Sequence, residues 1–275
     1  VYTVPTGYKA VNTYNLSTPT ITQGNLYMDA TLYTGTGANA TITNAGSFQP
    51  DFVWVKSRSA ATDHKLTDSN RGVTKAMISD SSGAETTDAN GLTAFNSNGF
   101  TLGTDSVYNT NTSTYVGWQW QANKGTNSTN NSGSITSSVS ANTTDGFSIV
   151  TYTGNGTNGA SVGHGLGVTP VMVIIKQRSG VNSWVVYHQS ISSPNSNFLI
   201  LEGTNATQSA PNFLTPSSTL LTFTTSYGGT NGNTNTYVAY CWAAVAGFSA
   251  FGSYTGNGSS NGPFIYTGFR PKYVL

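Results

Sequence analysis

The chain has 275 residues, of which only 8% are charged, with a formal net charge of +1 and a single cysteine. About 25% charge is usual in soluble proteins, so most of this surface must be neutral and polar. Dispersed Lys and Arg exclude the basic face that nucleic-acid binding needs. One Cys excludes an intrachain disulfide, and no apolar run approaches the roughly 18 residues of a membrane helix, so no membrane insertion is expected.

Aromatic residues make up 12% and Gly, Asn, Ser and Thr fill much of the rest. The aromatic and β-branched content supplies apolar surface to offset ordering entropy, which argues for a folded chain rather than a disordered one. Residues 1–30 read as the tail of a preceding domain and a connector. From residue 31 the chain repeats itself. Tyr33-Thr34-Gly35-Thr36-Gly37 returns as Tyr152-Thr153-Gly154-Asn155-Gly156 and as Tyr254-Thr255-Gly256-Asn257-Gly258. A proline-led apolar run follows each copy, from Pro50, Pro170 and Pro271. The first two copies share an ending, Thr114-Tyr115-Val116-Gly117-Trp118-Gln119-Trp120 against Thr236-Tyr237-Val238-Ala239-Tyr240-Cys241-Trp242.

These offsets set the expected organisation: repeat 1 over 31–122, a polar spacer over 123–146, repeat 2 over 147–246, and the start of a truncated third repeat over 247–275. Within the spacer, Ile135 and Val139 would allow an edge strand instead. Arg71 to Ser79 is a weak helical candidate. Nearly every other local signal is β. Gly146 to Thr153 alternates, Val171 to Ile175 has the continuous apolar character of a strand buried on both faces, and Ser183–His188, Asn197–Leu201 and Thr219–Thr224 read as further strands. The expected fold is all-β: tandem antiparallel, jelly-roll-like β-sandwich repeats.

Gly154-Asn155-Gly156-Thr157-Asn158-Gly159 matches a dinucleotide fingerprint. The following Ala160-Ser161-Val162 is a poor helix start, and the third glycine is Ala40 and Asn261 in the other copies, so a hairpin turn is expected. Asp63, His64 and Asp68 are a nominal acid/base or metal cluster, better read as strand-end residues. No catalytic, cofactor-binding or metal-ligating residue is assigned, and no cofactor is expected. Cys241 reads as a small buried hydrophobe. Trp118 and Trp120 share a strand face with the period of two, as do Tyr240 and Trp242, while Tyr115 and Tyr237 point the other way. Their recurrence favours core. Candidate glycan-contact residues therefore fall in the loops that differ between repeats: Tyr108, Asn109 and Asn111, and Tyr227, Asn231 and Asn233.

Phe48 to Arg58, Asp68-Ser69-Asn70-Arg71-Gly72, Asn98 to Gly103 and Thr114 to Trp118 together resemble repeat modules of tailed-phage virion proteins, as found in tail-fibre and appendage proteins of marine phages. Gly146 to Arg178 and Phe251 to Pro271 are similar to the same modules. Val4 to Leu16 is similar to the closing strand of a concanavalin-A-like, SPRY-like lectin domain. The resemblance implies a structural, non-enzymatic virion protein that presents a host-recognition, glycan-binding surface, homo-oligomeric and trimeric like other fibres. The alternatives are a head-decoration or head-fibre protein, and a bacterial surface adhesin or extracellular filament subunit.

Overall fold

A computed structural model describes residues 19–223 and 227–275. After a 3-10 turn at Gly24–Leu26, the first unit runs through β1 (Met28–Thr34), β2 (Ala40–Thr43), β3 (Phe52–Ser57), β4 (Lys65–Asp68), β5 (Lys75–Ile78), β6 (Thr86–Thr87), β7 (Leu92–Asn96), β8 (Gly99–Leu102), the one-turn helix α1 (Ser106–Asn109) and β9 (Thr114–Trp120). These strands make a six-stranded sheet, β1-β9-β3-β4-β5-β6, and a three-stranded sheet, β2-β8-β7. The chain continues through β10 (Ser128–Asn130), β11 (Ser137–Asn142), β12 (Phe147–Thr153), β13 (Ala160–Gly163), β14 (Met172–Gln177), β15 (Val185–His188), β16 (Asn197–Ile200), β17 (Gln208–Ser209), β18 (Thr215–Pro216), β19 (Leu220–Phe223), α2 (Gly228–Asn231) and β20 (Thr236–Trp242). This second unit has an eight-stranded sheet, β10-β11-β12-β20-β14-β15-β16-β17, and a three-stranded sheet, β13-β19-β18. In each unit the closing strand lies between the first strand and the proline-led strand, with antiparallel pairing on both sides. That pairing is why the three repeated motifs recur together.

The alternation along these central strands divides their side chains between two cores. In the first unit Val53, Val55 and Tyr115 meet Ile42, Phe100 and Leu102 of the small sheet. In the second, Val150, Tyr152, Val173, Ile175, Tyr237 and Cys241 meet Val162, Leu221 and Phe223. The opposite faces are also apolar, and each large sheet buries that face against the other. Phe52, Trp54, Leu66, Met77 and Trp120 form one cluster with Phe147, Ile149, Ile174, Tyr240 and Trp242. The Phe52 ring lies 4.4 Å from Tyr240 and 6.0 Å from Phe147, and Trp120 meets Trp242 edge-on at 6.3 Å. Each such aromatic pair adds about 0.5–1.5 kcal/mol beyond area burial. The result is a four-layer β body, small sheet, large sheet, large sheet, small sheet, rather than two sandwiches on a tether.

Several sequence expectations change. The helical candidate Arg71–Ser79 is a turn followed by β5, because Lys75–Ile78 pairs on one side with β4 and on the other with β6. Gly154–Gly159 is no hairpin: it crosses from β12 in the large sheet to β13 in the small one, and these two strands do not pair. The stretch 123–146 takes the edge-strand alternative rather than that of a spacer, with β10 and β11 added to the edge of β12 and Ile135 and Val139 buried in the second core. Its start is fixed by the fully buried Asp51, whose carboxylate accepts the N–H groups of Ala122, Lys124 and Gly125 and the Ser69 hydroxyl. The third repeat start, 247–275, adds no strand and touches both units: Phe248 meets Tyr27 at 6.2 Å and Phe251 meets His188 at 6.3 Å. Tyr273 sits 5.4 Å from Trp118 and 5.2 Å from Trp120, and Lys272 pairs with Asp29. The stretch that is similar to a lectin closing strand, Val4 to Leu16, lies outside the described residues.

Candidate functional site

The six loop residues selected for glycan contact do two different things. Asn109 and Asn231 are fully buried, and Tyr108 nearly so. Asn109 Oδ1 accepts the Thr36 N–H at 2.8 Å while its Nδ2 donates to the carbonyls of Ala38 and Gly103. Asn231 Oδ1 accepts the Asn155 N–H at 3.0 Å and its Nδ2 donates to the Thr157 carbonyl. Each asparagine thus supplies the hydrogen bonds that the glycine-rich loop after the first strand cannot make with itself. A tyrosine pair completes each assembly. Tyr33 stacks on Tyr115 at 5.1 Å and donates to the Tyr108 carbonyl, while Tyr115 takes the Thr110 N–H and donates to the Ser106 carbonyl. Tyr152 and Tyr237 repeat this, with the Thr230 carbonyl, the Gly232 N–H and the Gly228 carbonyl as partners. Tyr-Thr-Gly-x-Gly is therefore half of a loop lock. A side chain without exposed surface has nothing to offer a ligand, so Tyr108, Asn109 and Asn231 leave the candidate list. Asn111 and Asn233 are exposed and Tyr227 is half-buried against Phe198.

The titratable groups are also largely committed to structure. Arg71 is buried between the large sheets. It donates to Asp68 Oδ2 at 2.5 Å, Glu85 Oε2 at 2.9 Å and the carbonyls of Leu66 and Lys75. Tyr240, from the other unit, donates its hydroxyl to Asp68 at 2.6 Å, and Arg178 grips both oxygens of Glu85 at 3.0 and 3.1 Å. Burial alone would push the Arg71 charge out, but Asp68 and Glu85 outweigh it and hold the guanidinium charged. Burial pushes the Glu85 carboxyl up, and Arg178 and Arg71 overcome this to hold it below its usual range. Asp68 is thus drawn away from Asp63 and His64, and the nominal cluster does not assemble. Burial pushes the Cys241 thiol up to about 12, which leaves it an inert core group. Among the described residues no three His, Cys, Asp or Glu side chains converge as a metal site, and no helix is long and apolar enough to cross a membrane.

Two grooves remain open among the described residues, one of about 410 Å³ beside Phe48 and Gln121, and one of about 280 Å³ on the large sheet of the second unit, reached at one side by Asn70 of the first unit. The floor of the latter is hydroxyl-bearing: Thr129, Ser138 and Thr151 are cross-strand neighbours on β10, β11 and β12, followed by Thr153 and Thr236, with the Ser138 hydroxyl already donating to Asn70 at 2.8 Å. Arg178 borders it, already neutralised by Glu85. Hydroxyls at strand spacing both donate and accept, so the surface suits a neutral polyhydroxylated ligand more than a charged one. Sequence reading did not single these residues out. Their only signal is Thr151 and Thr153 two apart on a strand whose other members on that face, Phe147 and Ile149, are core.

Fold and site together define an all-β, four-layer protein with a hydroxyl-rich groove and a buried ionic seam between its halves. The chain belongs to the family described as Domain of unknown function (DUF7483), whose profile matches residues 23–275. No curated protein and no solved structure matches it.

Proposed function

We propose that this protein is a structural component of a tailed-phage virion, a rigid β segment of a tail fibre or similar appendage, whose hydroxyl-rich groove faces a host-surface glycan. The observation that carries the reading is the fusion of two units into one body through an aromatic core and a buried Arg71–Asp68–Tyr240 seam. Such a body is rigid without disulfides, as an extracellular shaft or tip must be. Its near-zero net charge leaves little repulsion between copies, which supports homo-oligomerisation, with a trimer as the expected state. Gold-labelled antibody against this chain should decorate the appendages of purified virions. Unlabelled virions, or label confined to bacterial envelopes, would contradict the assignment. Chemical-shift mapping with neutral oligosaccharides should move Thr151, Thr153 and Ser138, and shifts elsewhere alone would remove the groove from the proposal.

A further inference from the structure

Corresponding positions in the two units differ sharply at one place. Asp88 follows β6 and donates its N–H to Thr74, as Ala210 follows β17 and donates to Ser196. Gly91 then bonds back to the Asp88 carbonyl as Phe213 does to Ala210, and Asp105 starts α1 as Tyr227 starts α2. In the second unit this place is apolar: Val185 opens β15, and Phe198 packs 5.2 Å from Phe213 and 5.4 Å from Tyr227. In the first unit the same positions are Lys65, Ala76, Gly91 and Asp105. An amine and two carboxyls therefore replace a packed aromatic cluster.

The amine and one carboxyl also face each other at short range. Lys65 Nζ lies 3.7 Å from Asp88 Oδ2, both side chains are nearly buried at 11% and 14% exposure, and that oxygen has no hydrogen-bond donor. Nζ also lies 5.9 Å from the centre of the buried Tyr108 ring, which shields it from water. Asp105 caps α1 by accepting the Val107 N–H at 2.6 Å and stands beside Asp88. Gly91 makes the approach possible, since a Cβ there would come within 2.8 Å of Asp88 Oδ2 and 2.9 Å of the Tyr108 ring.

We propose that Lys65 and Asp88 join through an amide bond between Nζ and Cγ, with Asp105 as the proton carrier. Proton transfer within the ion pair gives a neutral amine and a neutral carboxylic acid. The amine attacks Cγ, forming the C–N bond, and Asp105 takes a proton from the nitrogen. Asp105 returns that proton to a hydroxyl on the tetrahedral carbon, the C–O bond breaks, and water leaves. Amine and acid are consumed, amide and water are formed, and no oxidant or cofactor is required. Burial and then the neighbouring Asp105 carboxyl raise the Asp88 pKa, which favours the neutral acid the step consumes. Fixed intramolecular geometry supplies effective molarities of about 10⁵–10⁸ M, enough to drive a condensation that free solutes do not undergo.

Intact-mass spectrometry of the folded full chain tests this. The expected mass is about 18 Da, one water, below that of the sequence. Trypsin should leave a branched peptide joining residues 59–71 to 76–124, because an acylated Lys65 is not cut. Lys65→Arg keeps the charge and cannot form the bond, so its mass should equal its sequence mass and its Tm should fall by about 5–10 °C. Asp105→Ser keeps the helix cap and should cross-link at least tenfold more slowly. A wild-type mass equal to the sequence mass, with separate tryptic peptides, overturns the cross-link. An Asp105→Ser protein that cross-links as fast as wild type overturns the role of Asp105.

Discussion

Asp145 sets burial against charge most directly. Its Oδ1 accepts the Phe147 N–H at 3.1 Å, but Oδ2 is buried without a partner. Burial raises its pKa well above the ordinary 3.8. A folded-state pKa above the unfolded one stabilises fully below about pH 4 and is progressively lost as pH rises through the folded value. Asp145→Asn should therefore be more stable than wild type at pH 7 by about 1 kcal/mol or more, with the gap closing below about pH 4. Urea midpoints measured from pH 3.5 to 8 check this, and a gap independent of pH would show that Asp145 is not the titrating group. Arg71 should behave oppositely. Arg71→Met leaves Asp68 without its cation between the sheets, while Glu85 keeps Arg178, and should cost about 3–5 kcal/mol by the same measurement. Neither residue's role was legible in the sequence. Local propensity puts Arg71 at the head of a helical stretch, whereas its partners Glu85 and Tyr240 lie far along the chain.

The element that organises each unit is the lock between the Tyr-Thr-Gly-x-Gly loop and its buried asparagine. Asn231→Ala leaves the Asn155 N–H without its partner and the Thr157 carbonyl with only the Ala160 N–H, and should cost about 2–3 kcal/mol in chemical denaturation. Asn109→Ala should match it, whereas the exposed Asn111→Ala and Asn233→Ala should change stability by less than about 0.5 kcal/mol. Much of this level was readable. The alternation in β9 and β20 put Trp118 and Trp120 opposite Tyr115, and Tyr240 and Trp242 opposite Tyr237, and the structure divides them between cores in that way. The buried role of the asparagines has the same signal: each lies six residues before its repeated tyrosine, Asn109 before Tyr115 and Asn231 before Tyr237. Recurrence, which favoured core for the rings, applied equally to these amides. The groove was less legible because its hydroxyls come from separate strands of a chain rich in Ser and Thr.

At the scale of the whole molecule, alternation told which residues share a face but not what that face meets. Trp120 and Trp242 are expected in the core of their own repeat and instead lie between two sandwiches. The halves should therefore not be separable. Residues 123–246 expressed alone, with β10 and β11 in place, would expose Phe147, Ile149, Ile174, Tyr240 and Trp242, and should aggregate or bind a hydrophobic dye. The full chain should unfold in a single calorimetric transition, and two resolved transitions would show that the seam couples the halves weakly.

The pairing of large sheets also sets a rule of parity. In an open solenoid each repeat contacts a neighbour on both sides, so one more unit can always be added. Here each unit has one outward aromatic face, and its neighbour consumes it. Two units here saturate each other's aromatic faces, with Tyr273 at the rim, so a further unit would have to join through a small sheet or an edge.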